Sequence, residues 1–306
     1  MKAQIPKSNT WGATAFRQNE ILGHLARYGV MRLKTLKQLV NDPISMSSLQ
    51  MTVKRLEASG LVVNTSARIG GSPVGYWMLR PCKTVFKEVS SRTGLDLSQF
   101  RSKRCHWSMG PHEDICTIFQ ASIERFAPQI KIFREATNNF RELPGHLLSD
   151  RIRENGYTPD ICLGVPIEGR VSQSNTPLYR WIAVEIDRSY RSHKRTSSRA
   201  NIYSRHTAFV GLLYLVPSER RQGIVRKIYS DRGAKESLRI SGGSESFLAT
   251  GSLPQSLFEP DKFTLKCDEH ELSLSQWMQL FATSEVRQRD ETLQKVCASD
   301  TQNEGA

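Results

Sequence analysis

The chain has 306 residues, 38% of them hydrophobic and 24% charged, the balance of a soluble globular protein of about two domains. No run approaches the roughly 20 apolar residues that cross a bilayer, and no apolar stretch follows the N-terminal lysines, so neither a membrane span nor a secretory leader is expected. The net charge is +13 and lopsided: residues 1–104 carry 17 Lys and Arg against 5 Asp and Glu, whereas 105–306 carry 26 against 25. A field this concentrated attracts polyanions, and nucleic acid comes before anionic membrane because no strongly apolar amphipathic face accompanies the charge. The six cysteines, at 82, 105, 116, 162, 267 and 297, form no CxxC pair. Reduced thiols in a cytoplasmic, DNA-associated bacterial protein are the expectation.

Residues 14–80 read as three helices and a hairpin. A first helix spans about 14–28, with Phe16, Ile21, Leu22 and Leu25 near helical spacing and Gly29 as its end. A second covers about 32–40 with Leu33, Leu36 and Leu39 on one side, and Asn41-Asp42-Pro43 breaks the chain. A third starts with Ser45 or Ser47 as its N-cap and turns Leu49, Val53 and Leu56 inward. Gly60 falls where a left-handed residue is wanted. Two short apolar runs, 61–63 and 76–79, flank a flexible loop, NTSARIGGSPVG.

Helix–helix–helix–strand–loop–strand is the winged-helix pattern, and VKRLEASGLV resembles a recognition helix running into its wing. A helix fits the DNA major groove, where outward side chains reach base edges. The outward set is Ser47, Ser48, Gln50, Met51, Lys54 and Arg55. Gln50 suits adenine, Lys54 and Arg55 suit phosphate or guanine, and Arg68 on the wing suits a minor groove or phosphate. A winged helix used only for protein contacts is the bland alternative.

A helix and a basic linker fill 81–104, with RSKRCHW (101–107) the densest charge run. From 111 onward helices and strands alternate, as in an α/β layer. Helix 111–126 precedes strand 130–137. Strand 156–166 carries Pro159-Asp160, and strand 179–189 ends in Glu185 and Asp187. A helix over about 191–206 holds Arg191, Lys194, Arg195 and Arg199. Strand 208–217, a helix near 218–231, strand 247–253 and a helix over 272–283 complete the domain. From about 285 the chain is polar and aperiodic, and disorder is expected.

An Asp opening one strand and an acidic pair closing its neighbour build metal-dependent nuclease sites. Mg²⁺ or Mn²⁺ wants carboxylate oxygens and then polarises phosphate and lowers the pKa of water. Asp160 and Glu185 are the candidate ligands. Asp187 shares the face of Glu185, since side chains repeat every two residues on a strand. Glu113 is a candidate additional carboxylate, and His112 beside it is a catalytic candidate or a helix cap. Asp187 stands where the PD…(D/E)xK pattern has Lys, a departure that counts against hydrolysis. Tyr203, Tyr190 and Tyr157 are candidate nucleophiles, with packing as the plainer role for each. Arg191, Lys194 and Arg195 would hold a DNA backbone or form a solvated face. Cys105, His106, His112 and Cys116 lack the tight spacing of structural zinc sites.

PDICLGV followed by WIAVEIDRSYRSHKR…IYSRH resembles the plasmid replication-relaxation family and is similar to the MobC-type mobilisation relaxases. The resemblance spans about residues 15–220. It implies a winged helix ahead of a restriction-endonuclease-like domain, with Asp160, Glu185 and Asp187 as the acidic site and His112-Glu113 on the helix before it. It also places Arg188 and Tyr203 at the family's basic and tyrosine positions. The expected organisation is a winged-helix domain with linker helix over 1–100, an α/β nuclease-type domain over 105–284 and a tail over 285–306. The expected function is metal-dependent nicking of double-stranded DNA at a plasmid or mobile-element origin, with mobilisation or replication proteins as further partners. The alternative is a non-catalytic origin-binding replication or transcription regulator with a degenerate nuclease fold.

Overall fold

The computed structural model describes residues 10–41, 43–69, 72–97, 100, 110–134, 143, 147, 158–172, 175–188, 193–205, 209–231, 248–267 and 270–283. It has two compact units. One comprises Met1–Ala121, Arg134–Glu142 and Pro254–Leu257, and the other Ser122–Phe133, Leu143–Leu253 and Phe258–Ala306. The division after Ala121 lies inside a helix, beyond the linker that charge density suggests as a boundary.

The first unit opens with α1 (Thr10–Tyr28), α2 (Leu33–Leu39) and α3 (Met46–Ala58). Ile21, Leu22, Leu25, Leu36, Leu39, Leu49, Val53 and Leu56 form one buried core. Burial of about 1.5–3 kcal/mol per such side chain, rather than helix propensity, holds helices this short. Phe16 departs from the expected stripe: it is 63% exposed, because the α1 core begins one turn later, at Ile21. Gly29 (φ 86°) ends α1, and its N–H donates to the Leu25 carbonyl at 3.0 Å. The break after α2 is tied back to α1, where Glu20 Oε1 accepts from both Asn41 N and Nδ2 at 2.8 Å. Ser45, not Ser47, caps α3: its Oγ accepts from Ser48 N at 3.1 Å. Gly60 (φ 79°) closes α3 in the left-handed turn foreseen, with Leu61 N donating to the Leu56 carbonyl at 3.0 Å.

A β-hairpin replaces the flexible loop expected over 64–75. β1 (Val62–Ile69) pairs antiparallel with β2 (Ser72–Leu79) in unbroken register from Val62↔Leu79 to Ile69↔Ser72. Two glycines separate the strands, a spacing and composition that suit a tight hairpin. Polar residues at 64–66 and 72 extend the strands because backbone pairing, not apolar alternation, continues them. Met31 adds a two-way backbone bridge to Trp77, at 3.1 and 2.8 Å, which sequence pattern did not reveal. α4 (Lys83–Thr93) follows and buries Val85 and Val89. α5 (Gly110–Phe126) counts with the first unit up to Ala121.

The second unit is a mixed α/β layer. Its strands are β3 (Lys131–Arg134, whose last residue counts with the first unit), β4 (Ile161–Val171), β5 (Pro177–Ile186), β6 (Phe209–Val216), β7 (Leu248–Ser252), β8 (Thr264–Cys267) and β9 (His270–Ser273). Among the described residues they form one sheet in sequence order. β4 and β5 are antiparallel, β5–β6 and β6–β7 are parallel, and β7–β8–β9 are antiparallel. The helices are α6 (His193–Arg205), α7 (Glu219–Asp231) and α8 (Leu274–Ala282). β5 and β6 are buried almost throughout, as strands covered on both faces must be. β4 begins at Ile161 and runs to Val171, later than the 156–166 expected, because an irregularity after Pro166 lets Val171 pair with Pro177. β8 and β9 were not foreseen, since four residues each give too little alternation to read.

Two devices fix α8. Buried Arg180 on β5 donates from Nη1 to the Phe281 and Thr283 carbonyls at 2.6 and 2.7 Å, satisfying the open end of the helix. Gly211 on β6 leaves room for Phe281 and Trp277, whose ring atoms lie 2.8 and 3.2 Å from where a Cβ would stand.

Candidate nucleic-acid interface and acidic cluster

α3 is amphipathic in the sense the sequence suggests. Leu49, Thr52, Val53 and Leu56 are buried, while Ser47, Ser48, Gln50, Met51, Lys54 and Arg55 are exposed. The two serines serve the cap: Ser45 Oγ lies 3.0 Å from Ser47 Oγ and donates to Ser48 Oγ at 2.9 Å. Gln50, Met51, Lys54 and Arg55 therefore form the outward face. Lys34, Lys37, Arg80, Lys83 and Lys87 are further exposed cations of the same unit. Arg68 lies in β1 opposite Pro73, and its side chain is outside the described residues.

In the second unit the strands gather the acidic residues as their spacing predicts. The register Ile161↔Val184 sets Asp160 across from Glu185, and Asp160 Oδ2 accepts from Ile186 N at 2.7 Å. Glu185 and Asp187 are 1% and 0% exposed. Glu185 Oε1 accepts from the Tyr203 hydroxyl at 2.5 Å, and Oε2 pairs with Arg199 of α6. Asp187 Oδ2 accepts from Arg221 Nε and Nη2 at 3.2 and 2.8 Å. Arg221 of α7 also donates to Thr196 Oγ1 at 2.7 Å. The packing of α6 against α7 brings both arginines to the end of β5.

Burial pushes the Tyr203 phenol well above the ordinary tyrosine range, against the lowering pull of Arg199. So held, it keeps its proton and donates to Glu185 rather than acting as a phenolate. Burial likewise pushes the Cys162 thiol on β4 up.

The acidic strand ends suggest Mg²⁺ or Mn²⁺, which needs several free carboxylate oxygens. Here Asp160 holds a backbone N–H, Glu185 holds Tyr203 and Arg199, and Asp187 holds Arg221. A cation among them would face two guanidinium groups. As arranged, these donors fit arginine and not a divalent cation. Among the described residues no group of three or more His, Cys, Asp and Glu is placed to hold a metal.

Glu113 belongs to the first unit and pairs there with Arg134, whose Nη2 also donates to the Glu113 carbonyl at 2.9 Å. Arg134 Nη1 donates to the Tyr28 carbonyl and to Thr117 Oγ1, each at 3.2 Å. His112 Nδ1 lies 3.6 Å from Cys116 Sγ, one helical turn away. Lys194 and Arg195 are exposed on α6. Tyr157, Tyr190, Arg191, Cys105 and His106 lie outside the described residues, as does the tail over 285–306.

Arg134, Arg180 and Arg221 are the determinants that sequence reading missed. Arg221 left a signal: with Val225 and Ile228 it sits at i, i+4 and i+7 on the buried stripe of α7, where a charge demands a buried partner. Family models give no match to the chain, and comparison with curated proteins gives none either.

Proposed function

We propose that the chain is a double-stranded-DNA-binding protein, a replication or transcription regulator of a plasmid or mobile element. In this reading the first unit is a winged helix that contacts DNA. The second is a nuclease-like scaffold with a structural acidic cluster. The observation that carries the reading is the outward face of α3, where Gln50, Lys54 and Arg55 are exposed and their side chains make no hydrogen bond or ion pair among the described residues. The charge excess of residues 1–104 supports it. The ion pairs of Glu185 and Asp187 support the non-catalytic role.

Binding of the full chain to random-sequence duplex DNA, followed by fluorescence anisotropy between 50 and 200 mM salt, tests this. Affinity should fall steeply with salt, and Lys54→Gln with Arg55→Gln should reduce the log–log slope by about 2. Salt-independent or absent binding refutes the proposal. Metal-dependent nicking is the second reading, favoured by one observation: Asp160 and Glu185 face each other on adjacent strands. Conversion of a supercoiled plasmid to open circles with Mg²⁺ or Mn²⁺ but not with EDTA, lost in Asp160→Ala and Glu185→Ala, would establish it over the regulator.

A further inference from the structure

The exposed face of α3 changes character along its length. Its first two turns carry no charged side chain, and the first cation is Lys54. Ser47 and Ser48 are held in the cap by Ser45. What these turns present outward is an amide, Gln50, and a thioether, Met51, which is 55% exposed. Positions 47, 50, 51 and 54 are spaced i, i+3, i+4 and i+7, so Gln50 and Met51 point to one side with Lys54 a turn behind. A methionine this exposed in a strongly basic unit contributes nothing to that unit's core. It supplies a flexible, polarizable apolar tip to whatever the helix meets.

In the major groove these two groups have specific counterparts. A Gln amide matches adenine, accepting from N6 and donating to N7, and an apolar tip matches the 5-methyl group of thymine. Guanine readout wants a bidentate cation on the leading turns, and α3 has none there. Resting on the DNA-binding reading above, we propose that α3 selects a site by A·T pairs. Gln50 bonds adenine N6 and N7, Met51 packs on a thymine methyl, and Lys54 and Arg55 hold the flanking phosphates.

The test begins with selection by the full chain from a random-sequence duplex library. The selected duplex is then remade with 7-deazaadenine for single adenines, which removes N7, or deoxyuridine for single thymines, which removes only the methyl. At one A·T pair 7-deazaadenine should weaken binding about 5- to 100-fold, and at the same or a neighbouring pair deoxyuridine should weaken it about 4-fold. Gln50→Ala should no longer distinguish adenine from its deaza analogue. Met51→Ala should no longer distinguish thymine from uracil. Both variants should keep the wild-type salt slope, since neither touches phosphate. The analogues alter the DNA and leave the protein intact, so misfolding cannot produce the result. Salt-dependent binding that is indifferent to both analogues, or a discrimination that survives both substitutions, overturns this inference and leaves the DNA-binding reading standing. Absence of binding at every salt concentration overturns both.

Discussion

Replacing Arg221 by Met should strongly destabilise the second unit and not merely silence an activity. Arg221 is 4% exposed and gives Asp187, 0% exposed, two N–H···O bonds at 3.2 and 2.8 Å. Removing the guanidinium takes the Arg221 counter-charge from a buried carboxylate, and breaking a buried pair costs about 3–5 kcal/mol. A domain holds only about 5–15 kcal/mol in total. With a urea dependence of about 2 kcal/mol per molar, the unfolding midpoint should fall by about 1.5–2.5 M. Replacing both partners, Asp187→Leu with Arg221→Met, removes the stranded charge and should restore most of the loss. Because two units need not unfold together, the assay is hydrogen exchange of β5 and β6 amides across a urea series, which reports the second unit alone. A single-variant loss below about 1 kcal/mol, or a double variant no more stable than Arg221→Met, would refute the structural role assigned to this pair.

Tyr203→Phe should flatten the alkaline arm of stability. Burial raises the folded phenol above its unfolded value near 10, so its contribution is complete below about pH 10 and is lost as pH rises further. Urea midpoints between about pH 9 and 11.5 check this, in a Cys162→Ala background because that thiol shifts in the same direction. At neutral pH the same variant should cost about 1–2 kcal/mol for the bond to Glu185. Gly211→Ala should cost about 1–3 kcal/mol by driving a Cβ against Phe281, seen as a lower thermal midpoint. Ser45→Ala should cost about 1 kcal/mol through loss of the α3 cap, again read by thermal unfolding.

The legible parts of the molecule are those governed by local chemistry. The three helices of the first unit follow from their apolar stripes and from Gly29 and Gly60, both of which adopt positive φ. The alternation of strand and helix after 156, and the shared face of Glu185 and Asp187, follow from period alone. What sequence did not disclose is non-local. The β1–β2 hairpin reaches Ile69 and Ser72 through pairing between strands, not through any pattern in NTSARIGGSPVG. Asp160 and Glu185 look like open ligands in sequence because their partners, Ile186 N, Tyr203 and Arg199, are chosen by packing. Glu113 precedes Asp160 by forty-odd residues, and nothing local says that Arg134 takes it.

The same blindness affects charge counting. A sequence total treats each arginine as a surface charge, yet release of counterions on DNA depends on cations that can reach phosphate. In the second unit Arg180 and Arg221 are 2% and 4% exposed, bound to carbonyls and to Asp187. Arg199 turns from α6 toward Glu185, leaving Lys194 and Arg195 as the exposed cations at the start of that helix. In the first unit Lys34, Lys37, Lys54, Arg55, Arg80, Lys83 and Lys87 are all exposed. The buried arginines of the second unit are therefore closed to phosphate, whereas these cations of the first unit stand at its surface. The near-neutral total after residue 104 includes buried ion pairs of both units, Glu113 with Arg134 in the first and Asp187 with Arg221 in the second. On this accounting the proposed DNA binding should draw its salt dependence mainly from the unit that carries α3.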